Sequence, residues 1–409
     1  VMTTSWFPTA SARRTARGRT SSRSSSRNIN AKVMKRTIIL ILLTLTCGSC
    51  YVKHTGTPAG YEIIEYPVEN GIGTEYHPSR LLLCDNNKWI LSASHKQEKS
   101  STFFTTSDGG RNWEKTFSPG GGWNCNNIVI QDNILYCSFH DLVRRGVTVN
   151  RGRVMSSTDF GSTWKDHLLL DDEVQQLLVA DQTIAVQLLS VSKRDGKKTY
   201  DIAYSIGFSH GDDNIISLFP GLDSTFSSYF SQNNIVVGLY KNNAVIIIDP
   251  ITEEIDSIRH NLKHVNHMIY GEDILGVWNG KLADYFRIAG DSAHFVSRIK
   301  FQGPFSDHIP DKLYQHGDVV YTSVLVPGMK PEVRMFISTD HAKSWTRVYT
   351  KGPMDKECDS VWTPVGANRF MAGYDDFVVS YCVSEKDGKR QDFIKIIKPK
   401  AESYGNHIK

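Results

Sequence analysis

Short apolar runs recur along most of the chain, each followed by a polar turn and a second apolar run. RLLLC (80–84) and WILSASH (89–95) flank Asp85-Asn86-Asn87. NIVI (127–130) and ILYCSFH (134–140) flank Asp132-Asn133, and VQQLLVA (174–180) and TIAVQLLS (183–190) flank Asp181-Gln182. Turns of the same kind follow at Gln232-Asn233-Asn234, Gly271-Glu272-Asp273, His316-Gly317-Asp318 and Gly366-Ala367-Asn368. Runs this short, bounded by turn formers, predict strands rather than helices. Further runs follow each pair, as in AVIIIDPITEEIDSI (244–258), DYFRIAGDSAHFVSRI (284–299) and VVSYCVSEKDGKRQDFIKII (378–397). Seven four-strand units over residues 78–398 predict an all-β, seven-bladed propeller of four-stranded blades, with six blades as the rival count. YEIIEYP (61–67) is an extra strand, expected to pair near the seventh unit and help close the ring. Closure hides strand edges that would otherwise template aggregation.

Three of the turns between third and fourth runs share one pattern. Thr106-Ser107-Asp108-Gly109-Gly110-Arg111-Asn112-Trp113, Ser157-Thr158-Asp159-Phe160-Gly161-Ser162-Thr163-Trp164 and Ser338-Thr339-Asp340-His341-Ala342-Lys343-Ser344-Trp345 align as Ser/Thr-x-Asp-x-Gly-x-x-Trp, with Ala342 the one departure. Asp accepts bonds from turn N–H groups, Gly permits positive φ, and Trp packs back across the hairpin. The pattern resembles the Asp-box (BNR) repeat of β-propellers. In that repeat Asp108, Gly110, Trp113, Asp159, Gly161, Trp164, Asp340 and Trp345 are structural.

The front of the chain reads as an address. Residues 1–33 are rich in Arg and Ser, lack acids, and are expected to lie outside the fold as an upstream extension. Met34-Lys35-Arg36, the apolar run TIILILLTLT (37–46) and Cys47-Gly48-Ser49-Cys50 make residues 34–50 an export signal. The run is too short to span a bilayer. The segment resembles a bacterial lipoprotein signal, which implies lipidation at Cys50, or else Cys47, and a cell-envelope location, with the membrane met through the lipid anchor alone. Residues 51–60 read as a linker and 61–409 as one monomeric propeller domain. Of the 47 basic residues nine lie within 1–36, so 38 face 43 acids beyond residue 50, a net of −5. A body of that sign lacks the basic face a nucleic-acid binder needs.

The remaining cysteines are Cys84, Cys125, Cys137, Cys358 and Cys382, with no spacing typical of zinc. Cys125 and Cys137 fall on neighbouring strands, where a disulfide and two buried thiols are equally open readings. Neither a metal nor a cofactor is expected.

The Asp-box resemblance implies two kinds of relative. Sialidases carry three clamp arginines, an Asp acid/base and a Tyr nucleophile assisted by Glu. The clamp binds a sugar carboxylate bidentately, and a neutral Tyr meets less repulsion from an anionic substrate. Arg80 stands where the first clamp arginine would be, though Leu81-Leu82 follows it where that family has Ile-Pro. Ser92-Ala93-Ser94-His95-Lys96 lacks the acid/base Asp, Lys281 stands where an Arg is wanted, and Tyr374 lacks the expected setting. The other relatives, seven-bladed photosystem-assembly-factor propellers and larger sorting-receptor propellers, hold partner proteins without catalysis. The expectation is therefore a non-catalytic scaffold for an envelope protein or glycan, with a divergent exo-sialidase-like hydrolase as the alternative. Its binding residues are expected on the face carrying the loops between second and third strands and between units. They are Trp123 after a Gly-rich turn, His140, Arg144 and Arg145 in the arginine-bearing loop to Arg153, Trp278, Lys281 and Asp375.

Overall fold

The computed structural model describes residues 54–55, 59–141, 151–181, 183–193, 200–210, 216–217, 226–230, 235–239, 244–249, 255–259, 267–279, 282–290, 292–300, 309–326, 332–348, 371–386 and 389–400. Cys47, Cys50, Arg144, Arg145, Lys281 and Cys358, with the expected signal and extension, lie outside them.

Every described regular element is a strand. Two come first, β1 (His54–Thr55) and β2 (Tyr61–Pro67). Blade one holds β3 (Tyr76–Leu83), β4 (Trp89–His95), β5 (Ser101–Thr106) and β6 (Glu114–Phe117). Blade two holds β7 (Trp123–Gln131), β8 (Ile134–Asp141), β9 (Gly152–Ser157) and β10 (Lys165–Leu170). Blade three holds β11 (Glu173–Ala180), β12 (Thr183–Lys193), β13 (Tyr200–His210) and β14 (Ile216–Ser217). Blade four holds β15 (Phe226–Phe230), β16 (Ile235–Leu239), β17 (Ala244–Ile248) and β18 (Ile255–Arg259). Blade five holds β19 (His267–Tyr270), β20 (Ile274–Asn279), β21 (Leu282–Ala289) and β22 (Ser292–Lys300). Blade six holds β23 (Ile309–His316), β24 (Val319–Val326), β25 (Glu332–Ser338) and β26 (Thr346–Arg347), and blade seven β27 (Met371–Tyr374), β28 (Phe377–Lys386) and β29 (Lys389–Pro399).

The described strands make seven sheets, six four-stranded blades and one with five strands. The first strands of successive blades touch in order, β3, β7, β11, β15, β19, β23 and β27, and β27 touches β3. That contact ring makes the fold a β-propeller. Closure is as expected: β2 pairs antiparallel with β29, Tyr61 opposite Pro399 and Pro67 opposite Phe393, as the fourth strand of blade seven. The expected linker contributes as well, because β1 pairs parallel with β26 and becomes the fifth strand of blade six.

Five of the seven expected first turns fall where the sequence places them, and the fourth, Gln232-Asn233-Asn234, lies outside the described residues. The seventh is corrected. Asp375-Asp376 joins β27 to β28, whereas Gly366-Ala367-Asn368 lies outside the described residues.

The core sits between the sheets. Trp89, Leu91 and Phe104 of blade one meet Val379, Tyr381 and Ile394 of blade seven. Ile90 and Phe103 meet Phe139 and Met155 of blade two. Tyr285 of blade five packs on Trp345 of blade six, with ring centroids 4.4 Å apart. Alternation along each strand sends successive side chains to the two neighbouring blades, so central strands are apolar on both faces. Each fully buried aromatic contributes about 2–3 kcal/mol.

The three repeat turns share one hydrogen-bond plan. Thr106, Ser157 and Ser338 donate through Oγ to Oδ1 of Asp108, Asp159 and Asp340 (2.7, 2.9 and 2.8 Å). The same hydroxyls accept from the backbone N–H of Gly110, Gly161 and Ala342. Oδ1 of each Asp accepts the N–H four residues on, and Oδ2 the side chain of that residue, Asn112, Thr163 or Ser344. Trp113 and Trp164 donate Nε1–H to the carbonyls of Gly110 and Gly161.

The third turn pays for its missing glycine with side-chain ties. His341 and Ala342 both hold left-handed backbone (φ 58° and 62°), which is unfavourable for side-chain-bearing residues. The His341 ring bridges Asp318 (Nδ1–Oδ1 3.0 Å) and Asp273 (Nε2–Oδ2 2.9 Å). Asp273 also accepts from Arg287 Nε at 2.9 Å and Gln315 Nε2 at 2.5 Å, which joins blade five to blade six.

Candidate functional site

Because strands alternate in direction, first turns and repeat turns meet at one end of the blades. Gly109 N–H bonds to Asn87 O, and His341 N–H to Asp318 O. The other end carries the loops between second and third strands and between blades. There, blades one to three place a polar cluster at the openings of β7 and β11.

Trp123 opens β7 after Gly120, Gly121 and Gly122, all at positive φ, and its N–H bonds to Gly120 O at 3.2 Å. Left-handed backbone carries no steric cost at glycine, which explains the run. Trp123 is half-buried, and the Arg153 guanidinium lies over its ring at 5.8 Å. Arg153 also grips Asp166 through both Nε and Nη2, the latter at 2.8 Å, and holds the Asp166 carboxyl below its ordinary pKa.

Behind this pair, Asn124 Oδ1 accepts from Ser94 Oγ and Ser101 Oγ, both at 2.9 Å. His140 faces Asn124 across the ladder, is buried, and has Nδ1 3.9 Å from Oε1 of buried Glu173. Glu173 Oε1 accepts from Gln175 Nε2 at 2.6 Å. The inner strand slips register between Cys125 and Asn127, and this bulge turns Asn126 and Asn127 toward β11. Their Nδ2 groups donate to Val174 O (2.5 Å) and Gln175 O (2.8 Å). Similar slips occur at Pro78/Arg80, Val174/Gln176 and Pro310/Lys312.

Arg80 follows the first of these slips. Its Nε donates to Asn126 O at 2.5 Å and its Nη1 to Ser79 O at 2.8 Å. The guanidinium therefore holds backbone carbonyls across the blade one–two junction. Tyr374 ends β27 beside the first turn of blade seven and packs against Phe377, ring centroids 6.0 Å apart.

Two expected binding residues are corrected. Trp278 is fully buried, with its ring edge-on to Tyr285 at 5.5 Å, because its position on β20 faces the neighbouring sheet. It offers no face to solvent. Asp375 is exposed, but it lies in the β27–β28 turn at the repeat-turn end, opposite the loop face. Trp123 and His140 lie at the same end of the β7–β8 hairpin, on its opposite faces, Trp123 against Arg153 and His140 against Glu173. Asn124, Asn126, Glu173 and Gln175 were missed, since the signal they carry is amides and a carboxylate where apolar inner strands begin.

A cleft of about 630 Å³ opens at the repeat-turn end between blades seven and one, lined by Glu62, Tyr66, Asn87, Asp108, Arg111 and Lys398. Glu62 and Lys398, neighbours across the β2–β29 ladder, pair at 3.4 Å on its wall. Among the described residues there is no group of three or more metal-ligating side chains, and no helix long and apolar enough to cross a membrane.

No protein-family model and no curated sequence matches the chain. Solved structures similar to it include a protein of unknown function from Dyadobacter fermentans (12% identity, 84% of this chain and 100% of that one, TM-score 0.48). An α-L-arabinofuranosidase from Fusarium graminearum is similar at 11% identity over 84% of this chain and 98% of that one, TM-score 0.42. An acylaminoacyl peptidase from Pyrococcus horikoshii is similar at 9% identity over 80% and 53%, TM-score 0.47. Likeness at this level carries no argument about activity, and the fold rests on the strand pairing above.

Proposed function

We propose that the protein is a non-catalytic propeller that holds an acidic protein or glycan on its loop face at the cell envelope. The observation that carries this reading is the use made of Arg80. A sialidase-type clamp needs a guanidinium presented to a substrate carboxylate, with a Tyr–Glu pair below it. Here two of its donors bond backbone carbonyls of Ser79 and Asn126, and Tyr374 is packed at a turn. The amides at the opening of β7 are tied down, Asn124 to Ser94 and Ser101 and Asn126 and Asn127 to backbone carbonyls of β11. Trp123, with Arg153 over it, is the group there suited to stacking on a sugar or anchoring an interface. The envelope location rests on the signal-like segment before residue 51.

The test pairs turnover with binding. A fluorogenic sialoside should not be turned over. A panel of anionic glycans and acidic peptides should contain ligands whose affinity drops about tenfold or more in Trp123→Ala. Turnover that disappears in Arg80→Ala would establish the divergent exo-sialidase-like hydrolase instead.

A further inference from the structure

The two cysteines of blade two lie against each other inside the core. Cys125 on β7 and Cys137 on β8 have Sγ atoms 3.1 Å apart, and both are buried. In the ladder Cys125 faces Phe139 and Cys137 faces Ile128, so the pair is diagonal, and the bulge after Cys125 brings the two onto one face. Ile90, Phe103, Leu135 and Met155 surround them. Each thiol otherwise reaches only one weak acceptor, Asn127 O at 3.6 Å and Ser138 O at 3.7 Å. A disulfide needs a sulfur–sulfur distance near 2.05 Å, so closure asks for about 1 Å of approach. Elsewhere in the fold Cys382 is already disulfide-bonded, with its partner outside the described residues. A chain that carries one disulfide is suited to an oxidising compartment.

We propose that Cys125 and Cys137 form a disulfide in the mature protein, a covalent staple between the inner strand of blade two and its neighbour. The oxidant is a disulfide, such as oxidised glutathione or a dithiol–disulfide oxidoreductase. One thiolate attacks it, forming a mixed disulfide and expelling the first oxidant thiol. The second thiolate then displaces the other oxidant thiol, so the two S–H bonds are replaced by one S–S bond. Two protons and two electrons leave the pair, and the oxidant is reduced to two thiols.

Timing follows from burial. Burial, and then the neighbouring Cys125, pushes the Cys137 thiol well above its usual range, which starves the folded blade of thiolate. The bond therefore forms before blades one and three cover the hairpin. Its consequence is local. The staple pins the bulge whose Asn126 carbonyl holds Arg80 and whose first residues carry Trp123 and Asn124.

Peptide mapping decides the matter. The protein, denatured and reduced, is refolded in a mixture of oxidised and reduced glutathione, alkylated under denaturing conditions and digested with trypsin. Residues 116–144 contain both cysteines and no internal Lys or Arg. The expected peptide is unalkylated and lighter than its reduced form by two hydrogen atoms. After further cleavage before Asp132, its halves stay joined until reductant is added. A peptide carrying two alkyl groups overturns the proposal. As a second readout, reductant should lower the Tm of the wild type by about 5 °C more than that of the Cys125→Ala/Cys137→Ala double variant, which keeps Cys382. An equal shift in both overturns it too.

Discussion

Removing the Asp392 carboxylate should open the seam where the ring closes. Asp392 is on β29, 9% exposed, and accepts three bonds: Arg390 Nε at 2.6 Å, Arg390 Nη2 at 3.0 Å and Tyr381 Oη at 2.7 Å. The Asp392 carbonyl accepts the Val68 N–H, just past the closing strand. Arg390 in turn donates Nη1 to Gly73 O (2.5 Å) and Tyr76 O (2.8 Å), on the segment that leads into blade one. One carboxylate thus supports a guanidinium that ties the last strand to the start of the first blade. Breaking a buried pair from one side costs about 3–5 kcal/mol, because the surviving charge is left uncompensated. The two carbonyls that Arg390 keeps place Asp392→Ala at the lower end, about 3 kcal/mol. Replacing both partners with apolar residues of similar shape removes the stranded charge, so Arg390→Met/Asp392→Leu should be less destabilised than Asp392→Ala. Urea unfolding followed by tryptophan fluorescence measures both at a common m-value. A cost below about 1 kcal/mol for Asp392→Ala, or a double variant no more stable than the single one, would refute the reasoning.

Two further expectations concern the repeat turns. A Cβ on Gly110 would sit 2.5 Å from Trp89 Cζ3 at φ +89°, whereas one on Gly120, at φ +65°, would meet nothing within 4 Å. Gly110→Ala should therefore cost about 2–4 kcal/mol and Gly120→Ala about 1 kcal/mol in the same urea assay, and equal costs would contradict the packing. The second expectation is pH dependence. Hydrogen bonds from the Thr163 hydroxyl and N–H hold Asp159 down to about 2. At Asp108 and Asp340 partial burial works upward, but the turn's hydrogen bonds outweigh it and both are lowered. Groups lowered in the fold stabilise it above the unfolded carboxylate range, near 4, and lose that contribution as pH falls through their folded values. The part of the stability that these turns supply should hold from about pH 7 to 5 and be lost from about pH 4 toward 2. Asp108→Asn/Asp159→Asn should make that acid limb shallower, and an unchanged limb would exclude these turns as its source.

The sequence by itself determined the class of the fold and much of its count. Apolar runs punctuated by short polar turns are a local property, because a strand's alternation and a turn's φ requirements act over a few residues. The Ser/Thr-x-Asp turns were legible for the same reason, since their bonds join residues at most four apart. The extra strand at Tyr61–Pro67 was legible because a short run of aromatic and β-branched residues needs a sheet to join. Only the tertiary structure decided what each residue faces. Trp278 and Trp123 both sit beside a turn or loop in sequence, yet the Trp278 side chain points into the adjoining blade while Trp123 keeps part of its ring in solvent. Asp375 looked like a loop-face residue until the pairing of β27 with β28 put it in a first turn, at the other end of the blade. The inner-strand bulges, which aim Asn126 and Asn127 at β11 and leave Cys125 against Cys137, arise from how the ring fits together. A one-residue slip moves side chains between faces, and nothing local in the strand's composition specifies it.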